Sequence, residues 1–306
     1  MTTTTLNEQF SRVGDIELCY ETFGDPGDPA VLLIMGLGTQ MLAWHADFCR
    51  ALAARGFFVI RYDNRDVGRS TRFDHVPPPT ARQILTRRPR HVPYTLVDMA
   101  DDVAGLVDNL GIDAAHIVGA SMGGMIAQVF AARHPQRTLS LASIMSTTGS
   151  RWKGQPALRV YPFFVAKPPR TKEQYVESLV KLFRVVGSPG FERDDDELRE
   201  MAALSWDRGP SPAGLGRQLA AIVSAGDRTL DVRRITAPTV VIHGRRDRLV
   251  RKSGGKATAR AIPGAKLVLI KGMGHDLPRG AWPQIIDAIT RNAADAKRPA
   301  AASAAA

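Results

Sequence analysis

Short apolar runs recur along most of this chain and alternate with segments of helical pattern. An alternating run over 16–23 follows a polar Gly14-Asp15 step, which predicts a hairpin with residues near 9–13. Further runs rich in Val, Ile and Leu predict strands at 30–35, 57–62, 115–118, 139–146, 238–244 and 266–271. Because helical stretches separate most of these strands, the pattern indicates an α/β fold with a mostly parallel central sheet flanked by helices.

The alternation of strands and helices stops between about 148 and 228. Three helical stretches occur there, near 171–186, 194–206 and 212–225, and Gly- and Pro-rich steps separate them. We expect this segment to be a helical cap, inserted into a core that is formed by 1–147 and 229–295. The small-residue end at 296–306 is expected to be a mobile tail.

Composition adds limits to this picture. At 306 residues the chain can form one large domain with an insertion, and no apolar run approaches the roughly 18 residues of a membrane span. The first residues lack the basic start and apolar core of a secretory signal. Cys19 and Cys49 are expected to be unpaired thiols, which suits a cytoplasmic location.

The net charge of +11 comes without a nucleic-acid motif, so we expect a solvated basic face and no nucleic-acid partner. The oligomeric state stays open.

One turn carries the strongest chemical signal in the sequence. Residues 119–123 read Gly-Ala-Ser-Met-Gly between an apolar run and a helical stretch. This order of strand, G-x-S-x-G and helix predicts a strained turn that exposes the hydroxyl of Ser121, with Gly119 and Gly123 leaving room for the bend. The N–H of Met122 lies in the first turn of the helix, where it has no intrahelical acceptor, and is therefore a candidate donor to an anion.

A base for this serine is expected among the histidines. A serine hydroxyl becomes an effective nucleophile when a neutral imidazole takes its proton and a carboxylate orients that imidazole. His275 follows the strand predicted at 266–271, in a turn whose two glycines can bring the ring over the edge of the sheet. His116 and His243 lie inside apolar runs and are expected to be packed strand residues. We therefore predict that His275 is the base.

The acid is expected at the carboxyl end of a strand between the serine and the histidine. Asp247 follows the strand at 238–244 and leaves room for one helix and one strand before His275. A salt bridge to a neighbouring arginine is the alternative role for Asp247. Asp276 is adjacent to the histidine in sequence and cannot easily reach the outer nitrogen of the ring.

A second anion donor is expected in the loop after the strand at 30–35. Glycines at 36 and 38 allow the backbone to approach a substrate closely, and the N–H of Leu37 between them is the candidate. Two donors aimed at a tetrahedral oxygen are worth roughly 3–4 kcal/mol each. The substrate pocket is predicted to be lined by Gly36 and by the cap residues Trp152 and Trp206.

These motifs together resemble the α/β-hydrolase superfamily over about residues 10–295. Beside the serine turn, the stretch D-N-R-D-V-G-R-S at 63–70 is similar to the superfamily's D-x-R-G-x-G-x-S, with Asp66 where glycine is usual. The segments at 242–247 and 272–275 add to the resemblance. It implies the α/β-hydrolase fold with an inserted cap.

Within that superfamily, M-G-L-G at 35–38 departs from the common H-G-x entry to this loop. Together with A-W-H-A-D-F at 43–48 and the Asn-Arg-Asp at 64–66, it resembles the anthracycline methyl-esterase-like branch and related actinobacterial esterases. This resemblance implies ester hydrolysis without specifying the ester.

The leading hypothesis is a serine carboxylic-ester hydrolase that acts on a small-molecule ester through an acyl-enzyme and needs no cofactor or metal. A lactonase, a thioesterase, a cofactor-free perhydrolase and an acyltransferase use the same triad and stay open as alternatives. A hypothesis from another class is a slow-turnover ligand-binding protein on this fold.

Overall fold

The computed structural model describes residues 6–87, 89, 91–164 and 166–296 of the chain. The strands are β1 (Gln9–Val13), β2 (Ile16–Phe23), β3 (Ala30–Ile34), β4 (Phe58–Tyr62), β5 (Ala115–Ala120), β6 (Thr138–Ile144), β7 (Thr239–Gly244) and β8 (Lys266–Ile270). The helices are α1 (Ala46–Ala53), α2 (Ala81–Leu85), α3 (Leu96–Asn109), α4 (Met122–Arg133), α5 (Tyr161–Phe164), α6 (Lys172–Val186), α7 (Asp195–Asp207), α8 (Pro212–Ala225), α9 (Thr229–Val232), α10 (Lys252–Ala261) and α11 (Trp282–Ala294). Short 3-10 helices occur at Met41–Ala43, Pro135–Arg137, Leu158–Val160 and Arg279–Ala281. Residues 297–306 of the predicted tail lie outside the described residues.

The described strands form one eight-stranded sheet in the order β1-β2-β4-β3-β5-β6-β7-β8. β1 pairs antiparallel with β2 and β2 with β4, whereas every later pairing is parallel. In the centre, Ile34 of β3 lies opposite Gly119 of β5, which lies opposite Ser143 of β6. The carboxyl ends of these strands therefore meet at one edge of the sheet, where ligands bind in open α/β sheets.

Helices cover both faces of the sheet because successive strand residues point to opposite sides. Leu32 and Ile117 belong to the apolar core on the side of α3 and α4. Val31 and Val118 belong to the core on the side of α1 and α11. All four are buried, which explains why the central strands read as continuous apolar runs rather than as alternating ones.

Helices α5 to α9 lie between β6 and β7, and α5 to α8 fall within 148–228, the segment in which the sequence predicts an inserted cap and which is called the cap. Side-chain caps begin the three long ones, because Thr171, Asp194 and Ser211 each accept hydrogen bonds from backbone N–H groups in the first turn. These caps explain why the helix boundaries of this segment agree with the sequence prediction within two residues.

Candidate active site

The turn at Ser121 has the strained geometry that its sequence predicts. Ser121 connects β5 to α4 with φ 56° and ψ −119°, a conformation that L-residues rarely adopt. A Cβ at Gly119 would lie 2.1 Å from the carbonyl oxygen of Gly123, and a Cβ at Gly123 would lie 2.1 Å from that of Ile34. The two glycines are thus required by close backbone approach, and the turn projects the serine from the sheet edge.

His275 meets this serine from the loop that follows β8. Its Nε2 lies 3.0 Å from Oγ of Ser121, and the ring is 8% exposed. The loop is held from the cap, because the backbone N–H of His275 donates to the carbonyl of Val186 at 2.7 Å and that of Gly274 donates to Oγ of Ser188 at 2.8 Å. The imidazole is therefore placed by β8 together with the end of α6 and the residues that follow it.

Asp247 completes the arrangement from the loop after β7. Its Oδ2 accepts from Nδ1 of His275 at 2.8 Å, and its Oδ1 accepts from the N–H groups of Leu249 and Val250 at 2.9 and 2.8 Å. Because a carboxylate can only accept, Nδ1 carries the proton and Nε2 is free to accept from Ser121. In the described chain, histidines and backbone amides are the partners of Asp247, in place of the neighbouring arginines.

Sequence reasoning missed one contact of this carboxylate. His243 is a fully buried strand residue, as predicted, but its Nε2 also lies 3.3 Å from Oδ2 of Asp247 while donating to the carbonyl of Val250 at 2.7 Å. Burial alone would raise the pKa of Asp247, yet the two histidines at its carboxylate outweigh this effect and hold the pKa below its usual value. The spacing of His243 and Asp247 across a strand end is the signal that could have shown their contact.

Asp276, the residue after the histidine, bonds Ser188 of the cap. Its carboxylate accepts from the hydroxyl of Ser188 and from the N–H of Ser188 at 3.2 Å. Burial raises the pKa of Asp276. This aspartate therefore joins the histidine loop to the cap.

The two candidate anion donors flank the serine. A Cβ at Gly36 would lie 3.1 Å from Cβ of Ser121, so the loop after β3 passes directly beside this serine, and Leu37 is the next residue. The N–H of Thr39 donates to the carbonyl of Gly36 at 3.3 Å, which closes a turn around Leu37. Met122 is the first residue of α4, where its N–H has no acceptor within the helix.

The two predicted pocket tryptophans lie in different surroundings. Trp152 is 87% exposed in a surface turn, and an indole that exposed contributes little surface to an enclosed pocket. The structure thus removes Trp152 from the candidate lining. Trp206 on α7 packs against Tyr175 of α6 with ring centroids 5.6 Å apart, so its described ring contact lies between two helices of the cap, where both residues are half-buried. Aromatic composition alone did not distinguish these environments from a pocket wall.

Buried ion pairs connect the cap with the core, among them Arg208–Asp63 and Arg217–Asp66. Arg208, directly after α7, places Nη2 2.7 Å from Oδ2 of Asp63 in the loop after β4. Arg217 of α8 donates from Nε and Nη2 to both oxygens of Asp66 at 2.8 and 2.7 Å. Each of these four side chains is at most 1% exposed. Asp66, which stands where the superfamily usually has glycine, adopts a left-handed φ of 69° and binds a cap residue.

The described residues show neither a metal site nor a spanning helix. Within them, no group of three or more His, Cys, Asp or Glu side chains is arranged to hold a metal ion. No described helix combines the length and apolar character needed to cross a membrane. Cys19 and Cys49 are free and buried, and burial raises the pKa of each thiol to about 12.

A model of the α/β-hydrolase fold family matches residues 29–278 of the chain. The chain belongs to the α/β-hydrolase family. It is 29% identical over 296 residues to a rhodomycin D methylesterase of Streptomyces sp. strain C5, a match that covers 86% of this chain and 90% of the relative. It is 26% identical to a bifunctional esterase/perhydrolase of Acinetobacter calcoaceticus, over 86% of this chain and 91% of that protein.

Solved structures of this family are similar along nearly the whole chain. A hydrolase from Pseudomonas aeruginosa is 25% identical with a TM-score of 0.69, over 95% of this chain and 99% of that one. An enol-lactonase from Burkholderia xenovorans is 25% identical with a TM-score of 0.68, over 94% of this chain and 98% of the enol-lactonase chain. These findings confirm the predicted family, its methylesterase-like branch and the fold class, and they support the prediction of a carboxylic-ester hydrolase.

Proposed function

We propose that this α/β-hydrolase is a serine esterase that cleaves a small-molecule carboxylic ester through an acyl-enzyme on Ser121. The observation that carries the proposal is the continuous hydrogen-bonded series from Oγ of Ser121 to Nε2 of His275 at 3.0 Å and from Nδ1 to Asp247 at 2.8 Å. In this series His275 is the base and Asp247 orients it. The methylesterase relatives support a carboxylic ester as the substrate.

The reaction follows from this geometry. Oγ of Ser121 attacks the ester carbonyl carbon while its proton moves to Nε2 of His275. The oxyanion so formed accepts hydrogen bonds from the N–H groups of Leu37 and Met122. When the intermediate collapses, the C–O bond breaks and the leaving alkoxide takes the proton from His275 to depart as an alcohol. Water then attacks the acyl-enzyme by the same route, which releases the carboxylic acid and returns the proton to the serine.

The core and the cap have different roles in the proposed function. Residues 1–147 and 229–295 supply the nucleophile, base, acid and oxyanion donors. The cap at 148–228 covers the carboxyl edge of the sheet and selects the substrate, since a hydrophobic wall discriminates by about 1–3 kcal/mol per methylene. The close approach of Gly36 to Ser121 supports a place for Gly36 in the lining of the pocket.

Perhydrolysis is a second candidate activity of the same site. It is favoured by the similarity to a bifunctional esterase/perhydrolase. In that reaction hydrogen peroxide, in place of water, attacks the acyl-enzyme and forms a peracid. Comparing acyl transfer from one ester to water, peroxide and alcohols distinguishes the two activities.

Steady-state and burst kinetics with short-chain p-nitrophenyl esters test the esterase proposal. We expect multiple turnovers by the wild type and a loss of at least about 10⁴-fold in kcat for a folded Ser121→Ala variant. Activity near that of the wild type in that variant would overturn the assignment of Ser121. A single slow burst without turnover would instead support the ligand-binding hypothesis.

A further inference from the structure

Hydrogen bonds from both the core and the cap hold the loop 35–41, which carries the Leu37 donor, and Gln40 of this loop bonds the cap residues Ser205 and Arg208. Residues of the core form hydrogen bonds with the two ends of the loop. Nδ2 of Asn64 donates to the carbonyl of Met35 at 2.9 Å, and the N–H of Met41 donates to Oδ1 of Asp63 at 2.7 Å. The middle of the loop is held by a different part of the chain.

The cap holds the middle of this loop through Gln218. The N–H of Gly38 donates to Oε1 of Gln218 on α8 at 2.8 Å, and Nε2 of Gln218 donates to the carbonyl of Arg65 at 2.8 Å. Gln218 is fully buried, so both ends of its amide are satisfied within the protein. The orientation of the amide is fixed by chemistry, because a backbone N–H must meet the oxygen and a carbonyl must meet the NH₂ group.

Gln218 bonds the peptide unit that determines the conformation of the turn. Between Gly36 and Thr39, the central peptide unit joins the carbonyl of Leu37 to the N–H of Gly38. Gln218 holds the N–H, and the hydroxyl of Thr39 donates to the carbonyl of Leu37 at 3.1 Å. Gly38 has the left-handed φ of 62° that a turn of type II requires at this position. Flipping of this peptide is therefore opposed at both of its polar groups.

We propose that Gln218 is a positioning residue for the oxyanion hole, through which the cap controls the rate of the chemical step as well as the choice of substrate. This inference rests on the proposed serine-esterase function. Gln218 touches the turn rather than the reacting atoms, and it acts by holding the peptide next to Leu37. Leu215, one turn earlier on α8, supports the same turn by apolar contact, because a Cβ at Gly38 would lie 2.7 Å from Cδ1 of Leu215.

The main test is Gln218→Met, which keeps the size of the side chain and removes both hydrogen bonds. Displacement of an oxyanion donor affects the transition state more than bound substrate, so we expect kcat for p-nitrophenyl acetate to fall about 10- to 100-fold with KM nearly unchanged. The inhibition constant of a trifluoromethyl ketone, whose adduct with Ser121 carries the oxyanion, should rise by a similar factor.

Gln128→Met is the matched control. Gln128 is also fully buried and donates from Nε2 to Oγ of Ser143 at 2.9 Å, away from the oxyanion turn. The Gln128→Met variant should be less stable than the wild type, but its kcat and its affinity for the trifluoromethyl ketone should be unchanged. Equal kinetics for the Gln128 and Gln218 variants would overturn the proposal, as would a rise in KM at constant kcat in Gln218→Met.

Leu215→Ala keeps the proposal testable if Gln218→Met fails to fold. Leu215 is 43% exposed, so its truncation is compatible with folding. We expect a fall of a few-fold in kcat at constant KM, and unchanged kcat would count against the proposal. Failure of the underlying esterase function would appear separately, as absent wild-type turnover or as activity that survives Ser121→Ala.

Discussion

The hydrolase core and the helical cap are held in place by different kinds of interaction. In the core, strand register and close backbone packing bring Ser121, Asp247 and His275 together, and the glycines at the serine turn leave no room for side chains. The cap is attached through buried polar contacts, among them the pairs Arg208–Asp63 and Arg217–Asp66, and through apolar residues of α8 such as Ala221, which belongs to the core beside α3 and α4.

This difference separates the consequences of substitution in the two regions. A change at Ser121, Asp247 or His275 removes a group of the proposed active site, while many apolar contacts preserve the fold. A change at a cap contact leaves a buried charge or amide without its partner, which costs stability and displaces loops that the cap supports.

The sharpest test of the core is Asp247→Asn. The amide keeps an oxygen for the N–H groups of Leu249 and Val250, so the loop should fold, but its NH₂ group favours the wrong tautomer of His275. By analogy with serine proteases, we expect kcat to fall by about 10⁴. Ester turnover and thermal unfolding of the variant provide the measurement, and a loss below about threefold would assign the role of the acid to another residue.

The strongest expected effect on the cap comes from Arg217→Met. This change leaves the carboxylate of Asp66 buried with Tyr94 and a backbone N–H as its remaining partners. We expect the free energy of unfolding in urea to fall by about 3 kcal/mol.

The double variant Asp66→Gly/Arg217→Met sharpens this test, because it removes both charges and restores the residue usual at the left-handed position 66. It should recover most of the lost stability. If the double variant is as unstable as Arg217→Met alone, the ion pair is not the reason for the loss.

Low pH should weaken the ion pair between Arg217 and Asp66. Burial alone would raise the pKa of Asp66, but hydrogen bonds from Arg217 and Tyr94 outweigh it and the pKa lies below its usual value. A carboxylate with a lowered pKa contributes stability above its unfolded pKa of about 3.9 and loses that contribution as the pH falls through the folded value. The stability difference between wild type and Asp66→Asn should therefore be constant from pH 7 to about 5 and shrink below about pH 4. Urea unfolding across this range tests it, and a difference that grows in acid would contradict it.

The smallest effect is expected at Trp152. Since its side chain is 87% exposed, Trp152→Ala should change the free energy of unfolding by at most about 0.5 kcal/mol. The order of kcat/KM across acetate to decanoate esters should also stay as in the wild type. Trp206→Ala, which removes the packing against Tyr175, should lower stability by at least about 1 kcal/mol. A reordered chain-length preference in Trp152→Ala would return this residue to the pocket.

The sequence allowed the strands and the serine turn to be predicted because each depends on local order, and it named Ser121, Asp247 and His275, which the sheet brings together. G-x-S-x-G between a strand and a helix determines its own geometry, and parallel strands bring their carboxyl ends to one edge. The contacts of Gln218 and Arg217 depend on how α8 lies over distant loops, which helical periodicity does not specify. Asp66 gave a local sign of its ion pair by departing from the usual glycine, but its partner could be identified only in three dimensions.

The cap leaves the sheet after β6 and returns at β7, and these strands are neighbours, with Ile144 opposite Ile242. We therefore expect that replacing this segment by the corresponding segment of a relative would leave the register of β6 and β7 unchanged. The transplanted segment must still supply counterparts of Ser188, which bonds the histidine loop, and of Gln218, which bonds the oxyanion turn. Chimeras that retain these two positions should change substrate range at little cost in rate, whereas chimeras that lack them should be slow on every ester.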